Sequence, residues 1–336
     1  MKKRLSWIDI ARGIGIIAVL YGHAVSGDSI RHILYAFHMP LFFFLSGVVF
    51  RPQKYKRFFP FFWKNIVTLL IPYCIFAVLS YLVWLSGRSD LPSSIDIGGH
   101  LLNIIYGNSS ALFFNVVLWF LPCLFMTKVL FWGIYKVFPN SKPLAIVLII
   151  ISIFGYIFSL LFPGIKLPLG TETAITAVVF FGVGYLWYTH EQSISQKISL
   201  SNPILIFILL MIMISLAQIN FQMYGYQIDM RLNRYSNFFL FYIAALSGIF
   251  AVVLFSLKIN SQRILEYIGK NSLILFVWHI IIFTYLSQFA HMFIDTTTFN
   301  SLRNYYIAPL FTILATFLIL AGLKIYQKIK KIIVSK

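Results

Sequence analysis

The sequence predicts an all-α polytopic membrane protein, a bundle of about ten transmembrane helices with both termini in the cytoplasm. Three observations lead to this fold class. Of the 336 residues, 60% are hydrophobic and only 11% are charged, which is less than half the charged share of an ordinary soluble domain. The apolar residues form long runs, and most basic residues lie between alternate runs. A soluble enzyme and a disordered chain are both excluded, because neither accommodates so many apolar side chains.

Ten stretches of the sequence are long enough to cross a bilayer. A hydrocarbon core of about 30 Å requires about 20 apolar residues in a helix. The stretches lie at about residues 7–25, 30–50, 61–86, 114–138, 144–163, 171–190, 203–220, 237–258, 271–290 and 304–323. Segment 91–113 is more polar, and we expect it to be a short amphipathic or re-entrant piece. Residues 1–336 are expected to form a single membrane-embedded domain.

The basic residues predict the orientation of the bundle. The chain has 27 Lys and Arg against 9 Asp and Glu, a net charge of +18. If the N-terminus lies inside, 19 bases fall in inner segments, 6 in outer segments, and Arg12 and Lys128 within spans. Cytoplasmic loops of membrane proteins are enriched in Lys and Arg. The distribution therefore predicts cytoplasmic termini, and it explains the basic excess without a nucleic-acid partner.

The two cysteines and the motif content limit the possible chemistry. Cys74 and Cys123 both lie inside apolar runs, so we expect them to pack in the core rather than to form a disulfide or a metal site. The sequence contains no zinc-binding, nucleotide-binding or nucleophile-elbow motif. We therefore expect no metal and no nucleotide hydrolysis.

The first predicted helix carries three polar side chains, Asp9, Arg12 and His23. Ionisable groups inside a membrane are costly and usually mark function. Arg12 and His23 are eleven residues apart, about three helical turns, so they lie on nearly one face and about 16 Å apart along the axis. Asp9 can pair with Arg12. The alternatives are a structural ion pair and a hydrogen-bonded interior histidine. A stripe of small residues on this helix allows close helix packing. The stripe consists of Ala11, Gly15, Ala18 and Gly22.

Other polar residues mark later spans. His38 lies beside Pro40, which frees a backbone carbonyl and indicates either a polar cavity or a histidine that caps this carbonyl. His279 lies inside the ninth span, where a functional role and a structural role are both open. Glu172 begins the sixth span, where the helix dipole alone can explain an acid. His32 is expected at the surface near the outer interface.

Several segments resemble the acyltransferase type 3 membrane family. The segment Trp7–Ile14, followed by Gly22 and His23, is similar to the first helix of that family, in particular of its fucose 4-O-acetylase-like or polysaccharide O-acetyltransferase branch. The segment Phe37–Gly47 resembles the second-helix signature of the same branch. Weaker matches are spread over the remaining chain. They are Leu70–Tyr73, Leu118–Pro122, Phe180–Gly184 and Tyr267–Leu273 with His279.

The resemblance implies ten helices in a bacterial-type plasma membrane, acetyl-CoA or another acyl-CoA as donor, and a sugar hydroxyl as acceptor. The family pattern of an arginine and, after ten residues, a histidine falls on Arg12 and His23. His23 would then act as general base, since the unperturbed pKa of a histidine side chain lies near neutrality, and Arg12 would bind the donor while Asp9 orients it. His38, His279 and Glu172 are the candidate substrate-binding residues.

One departure from the family concerns the donor site. Many members carry paired arginines shortly before the third-helix proline, which is Pro72 here. In this chain only Lys64 is charged in that stretch, so Lys64 is the remaining candidate for a coenzyme A contact.

Other functions fit the same composition. Buried Asp, Arg and His side chains also serve transporters, so a polysaccharide or solute carrier and a non-catalytic component of an export complex are alternatives. A succinyl transferase would keep the fold and change only the acyl group. The acceptor expected for the transferase is an envelope or capsular sugar, either lipid-linked or polymeric.

Overall fold

The computed structural model describes residues 6–27, 30–86, 97–107, 109, 112–197, 202–259 and 261–334. Within these residues the chain forms fourteen α-helices and no β-strand beyond one isolated bridge. The helices are α1 (Ser6–Ala24), α2 (Arg31–Val48), α3 (Phe58–Asn65), α4 (Ile71–Ser86), α5 (Ile97–Tyr106), α6 (Phe120–Val137), α7 (Ser141–Leu161), α8 (Thr171–Lys197), α9 (Pro203–Tyr224), α10 (Phe238–Ile259), α11 (Arg263–Lys270), α12 (Ser272–His291), α13 (Thr296–Leu302) and α14 (Ala308–Val334). Single π-helical segments, Ile66–Leu70 and Arg303–Ile307, join α3 to α4 and α13 to α14.

Helices lie at all ten predicted positions. In the part of the chain that the structure describes, eight helices or joined helix pairs are long and apolar enough to cross a membrane. They are α3–α4, α6, α7, α8, α9, α10, α12 and α13–α14. The first two helices, α1 and α2, carry the ionisable residues singled out above, and these lower their hydropathy. A multi-pass membrane protein is therefore supported, while the count of ten spans stays a prediction.

The predicted orientation also stays a prediction. Five of the bases that were counted for it, Lys2, Lys3, Arg4, Arg88 and Lys336, lie outside the described residues. Segment 91–113 is described only in part, and its helix α5 has ten residues. At 1.5 Å per residue, α5 is about 15 Å long and too short to cross the bilayer.

Apolar side chains on the peripheral helices face outward. The outer face of α7 is an example, with bulky exposed side chains repeating at three- and four-residue intervals. They are Ile146, Ile149, Ile150, Ile153, Phe154, Ile157, Leu160 and Leu161. A soluble protein rarely exposes so large an apolar surface, so this face fits the hydrocarbon of a bilayer.

Helix α1 occupies the centre of the bundle. It packs against α2, α10, α11, α12 and α14, and five of its apolar side chains are fully buried. They are Ile10, Ala11, Ile16, Val19 and Leu20. Its polar residues therefore lie among other helices rather than against lipid, as the sequence predicts.

Small residues permit this close packing. A Cβ atom added at Gly13 would collide with the carbonyl of Leu265 in α11, and one added at Gly269 would collide with the carbonyl of Asp9. The hydroxyl of Ser6 also donates a hydrogen bond to Glu266. These contacts pack the N-terminal half of α1 closely against α11.

Two predictions about buried residues are wrong. Cys74 is exposed on α4 rather than packed in the core, whereas Cys123 is buried. His32 is buried rather than at the surface, with 3% of its area exposed. Helix α9 covers it: the Nε2 atom of His32 lies 2.7 Å from Oε1 of Gln218, and its ring stacks on Phe221. An apolar run does not show which of its faces meets lipid and which meets another helix.

Candidate functional site

A cavity of about 190 Å³ lies at the C-terminal end of α1. Four segments form its wall: the end of α1, the first half of α2, the turn before α6, and the loop before α10. Phe276 of α12 completes it. The lining residues are His23, Arg31, Tyr35, His38, Met39, Val116, Val117, Trp119, Asp229, Met230, Arg231 and Phe276. The structure thus brings together His23 and His38, two of the residues predicted from the sequence.

His23 lies at the junction of this cavity with a smaller one. Its Nδ1 atom is 3.5 Å from the hydroxyl oxygen of Tyr35. Its ring centre lies 5.3 Å from that of His279. The smaller cavity, about 50 Å³, is also lined by Arg303 and Phe283. His23 therefore lies beside polar side chains from α2, α12 and the segment before α14.

His38 and His279 have their ring orientation set in the same way. In each, Nδ1 faces the carbonyl oxygen four residues earlier in its own helix: Leu34 at 2.5 Å and Leu275 at 3.1 Å. A proton on Nδ1 donates to that carbonyl and leaves Nε2 as a hydrogen-bond acceptor. The Nε2 atom of His279 is buried and has no hydrogen-bond partner in the described part of the chain.

The prolyl kink is not what positions His38. Helix α2 continues through Pro40, and the carbonyl freed by the missing N–H of Pro40 is that of Ala36. His38 contacts the carbonyl of Leu34 instead. The capping alternative for His38 is therefore not what the structure shows.

Charged groups form the rim of the cavity. Arg31 donates a hydrogen bond to the hydroxyl of Tyr35 at 3.3 Å, and its guanidinium carbon lies 5.1 Å from the centre of the Tyr35 ring. Asp229 and Arg231 form an ion pair at 3.7 Å. Burial raises the pKa of Asp229 above its ordinary value, and the charge of Arg231 opposes this rise.

The sequence did not identify these rim residues as a site. Arg31, Tyr35 and His38 are spaced at i, i+4 and i+7, so one helical face carries all three, and this spacing could have identified the first two. Nothing in the spacing of the sequence connects this face with Asp229 and Arg231, which lie about 200 residues later.

A second group of charged residues lies near the N-terminal end of α1. Arg12 and Asp9 form an ion pair at 3.6 Å, as predicted, with their side chains 27% and 2% exposed. Lys128 of α6 lies within electrostatic range of both Arg12 and Lys64. We call Arg12, Lys64 and Lys128 the basic cluster.

Lys128 was not assigned a role from the sequence, although a lysine inside an apolar span is itself a signal. Its ammonium group donates to Oδ1 of Asn65 at 3.3 Å. The amide of Asn65 donates in turn to the carbonyl of Phe61. These bonds hold Lys128 toward the helix that carries Lys64.

Glu172 is not brought to the cavity. Its carboxylate accepts a hydrogen bond from the backbone N–H of Leu167 at 3.1 Å and pairs with Lys166 at 3.7 Å. Lys166 donates to the carbonyl oxygen of Arg231 at 3.3 Å. Burial lowers the pKa of Lys166, and Glu172 opposes that change. Glu172 thus supports the loop that carries Arg231 instead of lining the cavity.

Among the described residues, no three His, Cys, Asp or Glu side chains are arranged to hold a metal ion. The arrangement does provide a group that can accept a proton, His23, in a cavity with hydrogen-bonding groups and cations around it.

The fold and the cavity define an integral membrane protein with an internal polar site. The family model described as an acyltransferase domain, of the type 3 acyltransferases, matches residues 5–324. The chain therefore belongs to the acyltransferase type 3 family and is an acyltransferase, which confirms the family resemblance of the sequence. Its placement in the fucose 4-O-acetylase-like branch stays a prediction. Comparisons with curated proteins and with solved structures found no match.

Proposed function

We propose that the protein is an O-acyltransferase of a bacterial-type plasma membrane that moves an acetyl group from cytoplasmic acetyl-CoA to a hydroxyl of an envelope or capsular sugar. One observation carries this proposal: the histidine-lined cavity and the basic cluster lie near opposite ends of one central helix, α1. Arg12 and His23 are eleven positions apart in α1, about 16 Å along the helix axis.

The basic cluster supports a donor site on the cytoplasmic side. Coenzyme A carries phosphates, and guanidinium and ammonium groups bind phosphate strongly. Arg12, Lys64 and Lys128 offer three such groups, and Asp9 orients Arg12 through their ion pair. The excess of bases in predicted inner segments favours a cytoplasmic position for this end of α1. The pantetheine arm of the donor then extends along α1 toward His23.

His23 suits the role of general base. If its Nδ1–H donates to the hydroxyl oxygen of Tyr35, the Nε2 lone pair remains free to accept a proton. That nitrogen takes the proton of the acceptor hydroxyl as its oxygen attacks the thioester carbonyl. The carbon–sulfur bond then breaks, the acetyl ester forms, and the proton passes from His23 to the departing coenzyme A thiolate.

His38 and His279 suit the binding of sugar hydroxyls. Both direct an Nδ1–H to a carbonyl of their own helix, so each offers an Nε2 acceptor. A hydroxyl that donates to such a nitrogen satisfies a buried acceptor, and an unsatisfied acceptor costs about 1–3 kcal/mol. The Nε2 atom of His279 supports this role, because it is buried next to His23 and has no hydrogen-bond partner among the described residues.

Family membership favours a transferase over the carrier and accessory-subunit alternatives.

The decisive assay incubates the purified protein with acetyl-CoA and fragments of the envelope polymer, and measures both free coenzyme A thiol and new O-acetyl signals by NMR. We expect thiol release that depends on the polymer, together with O-acetyl signals. Polymer movement across a membrane without thiol release would favour the carrier. Succinyl-CoA in a parallel reaction identifies the acyl group, and His190→Ala, a change at an exposed histidine, is the matched control.

A further inference from the structure

Three arginines surround His23. Arg31 and Arg231 line the main cavity, and Arg303 lines the small cavity beside it. Arg31 and Arg231 lie within electrostatic range of His23, and Arg31 lies within electrostatic range of Arg303. The Nε atom of Arg303 donates to the carbonyl of Ala24 at 2.9 Å, which fixes this side chain at the end of α1. We call these three residues the arginine group.

Within the described part of the chain, acidic side chains do not balance the arginine group. Asp229 is the one acid among the described residues that line the two cavities, and it pairs with Arg231. Within the described ranges of the chain, no carboxylate lies at ion-pair distance from Arg31 or Arg303. The Nε atom of Arg31 is buried without a hydrogen-bond partner in the same part of the chain. Among the described residues that line the two cavities, three arginines stand against one aspartate, so positive charge exceeds negative charge beside His23.

Partly buried like charges are costly unless an anion compensates them. The guanidinium group is planar and offers paired N–H donors, a geometry that matches a carboxylate or a phosphate. Arg31 and Arg231 reach the cavity from different elements, α2 and the loop before α10, so an anion between them would be held from two sides.

We propose that the sugar acceptor carries an anionic substituent, a carboxylate or a phosphate, and that Arg31 and Arg231 bind it while a neighbouring hydroxyl faces His23. Arg303 strengthens the positive potential at this end of the cavity. The inference rests on the proposed acetyl transfer to sugar, and it narrows the acceptor to acidic sugars or sugar phosphates. It also assigns Arg31 and Arg231 as specificity-determining residues.

The test uses the acceptor polymer in charged and neutralised forms. Fragments are prepared from the polymer of a strain that lacks this gene. One portion has its carboxyl groups reduced to hydroxymethyl groups, and another has its phosphates removed. We expect the KM for the untreated fragment to be at least tenfold lower than for one of the two treated fragments. The treatment that raises the KM shows whether the anion is a carboxylate or a phosphate. Equal KM values for all three fragments would overturn the inference.

Variants separate binding of an anionic acceptor from stabilisation of the reaction. We expect Arg31→Gln and Arg231→Gln each to raise the KM for the charged fragment about tenfold or more, and to reduce the preference over the neutralised fragment. Arg31→Lys keeps the charge and should recover part of the loss. An equal fall in kcat with charged and neutral fragments would instead assign the arginines to the oxyanion of the transition state and would contradict the inference.

Arg234→Gln is the matched control, because Arg234 lies in the same loop, is exposed, and is not among the cavity residues. The wild-type assay distinguishes a failure of the anionic acceptor from a failure of the proposed acetyl transfer. Wild-type protein that transfers acetyl equally well to charged and neutral fragments contradicts only the anionic acceptor. Wild-type protein that transfers acetyl to none of them contradicts the proposed function itself, and the anionic acceptor with it.

Discussion

The imidazole rings of His23 and His279 lie with their centres 5.3 Å apart, although the two residues come from nearly opposite ends of the chain. Helices α1 and α12 meet at this point, and α2 adds His38 and Tyr35 to the same region. The site is therefore assembled from two consecutive helices, α1 and α2, and from α12, which lies far along the chain. Each of these parts can be tested separately.

Tyr35 is expected to position His23. Its hydroxyl oxygen lies 3.5 Å from Nδ1 of His23 and accepts a hydrogen bond from Arg31. Tyr35→Phe removes the hydrogen-bond partner of His23 Nδ1. The proton of the neutral imidazole can then lie on Nε2, the nitrogen that has to accept the proton of the acceptor hydroxyl. We expect kcat to fall about threefold to tenfold, which corresponds to one ordinary hydrogen bond.

The measurement for Tyr35→Phe is the full rate profile against pH at saturating donor and acceptor. A positioning role changes the pH dependence of kcat and leaves the KM for acetyl-CoA unchanged. Tyr188→Phe, outside the cavity lining, is the control. A Tyr35→Phe enzyme with the wild-type kcat and pH profile would show that Tyr35 does not position His23.

His279 is expected to contact the acceptor. Its buried Nε2 atom has no partner in the described residues, so His279→Asn should raise the KM for the acceptor about tenfold, the cost of one lost buried hydrogen bond. The Kd for acetyl-CoA should not change. His291→Asn tests an exposed histidine at the end of the same helix and should behave as wild type. A weaker donor affinity in His279→Asn would place His279 at the donor instead.

The basic cluster is expected to bind the donor phosphates. We expect Arg12→Gln and Lys128→Gln each to raise the Kd for acetyl-CoA roughly tenfold, since each removes one charge-assisted contact. Raising the salt concentration should weaken wild-type binding and affect the variants less. Isothermal titration of the protein in detergent measures both effects.

Lys136→Gln is the control for the cluster, because Lys136 lies on the same helix as Lys128 but is not part of the group. It should bind acetyl-CoA like the wild type. If all three variants weaken binding equally, the effect is general electrostatic attraction at the basic face rather than a site.

A close contact between α2 and α8 is expected to limit stability. A Cβ atom at Gly184 would collide with the carbonyl of Phe44, and one at Gly47 with the carbonyl of Phe181. Overpacking of this kind costs about 1–3 kcal/mol, so Gly184→Ala should lower the Tm by several degrees. Gly133→Ala is the control: a Cβ atom there meets nothing within 4 Å, and alanine favours helix. A Tm for Gly184→Ala that matches Gly133→Ala would contradict this packing.

Much of the fold and part of the site could be predicted from the sequence. Length and hydropathy are properties of single segments, so the positions of the ten helices and the polar face of α1 were predictable. The family motifs of the first two helices point to His23 and His38. Which side of a helix contacts lipid and which contacts a neighbouring helix depends on how pairs of helices pack. A single segment does not show this, and the predictions for Cys74 and His32 were wrong for that reason.

The rest of the site depends on tertiary contacts. Asp229 and Arg231 approach α2 only because α9 and α10 bring their connecting loop over the cavity. Lys128 joins Arg12 and Lys64 only because α6 packs beside the segment that joins α3 to α4. Glu172 was a candidate substrate-binding residue because an acid begins the sixth span, whereas its partners, Lys166 and the N–H of Leu167, lie in the adjoining loop.

The role of His23 as general base is tested most directly by the rate of acetyl transfer by purified His23→Ala, measured beside its Kd for acetyl-CoA. A general base contributes about 10²–10⁴-fold to the rate. We predict that kcat falls at least a hundredfold, while the Kd for acetyl-CoA and the Tm stay within about twofold and a few degrees of the wild type. Wild-type turnover by a folded His23→Ala protein that binds acetyl-CoA normally would contradict the assignment of His23 as the base.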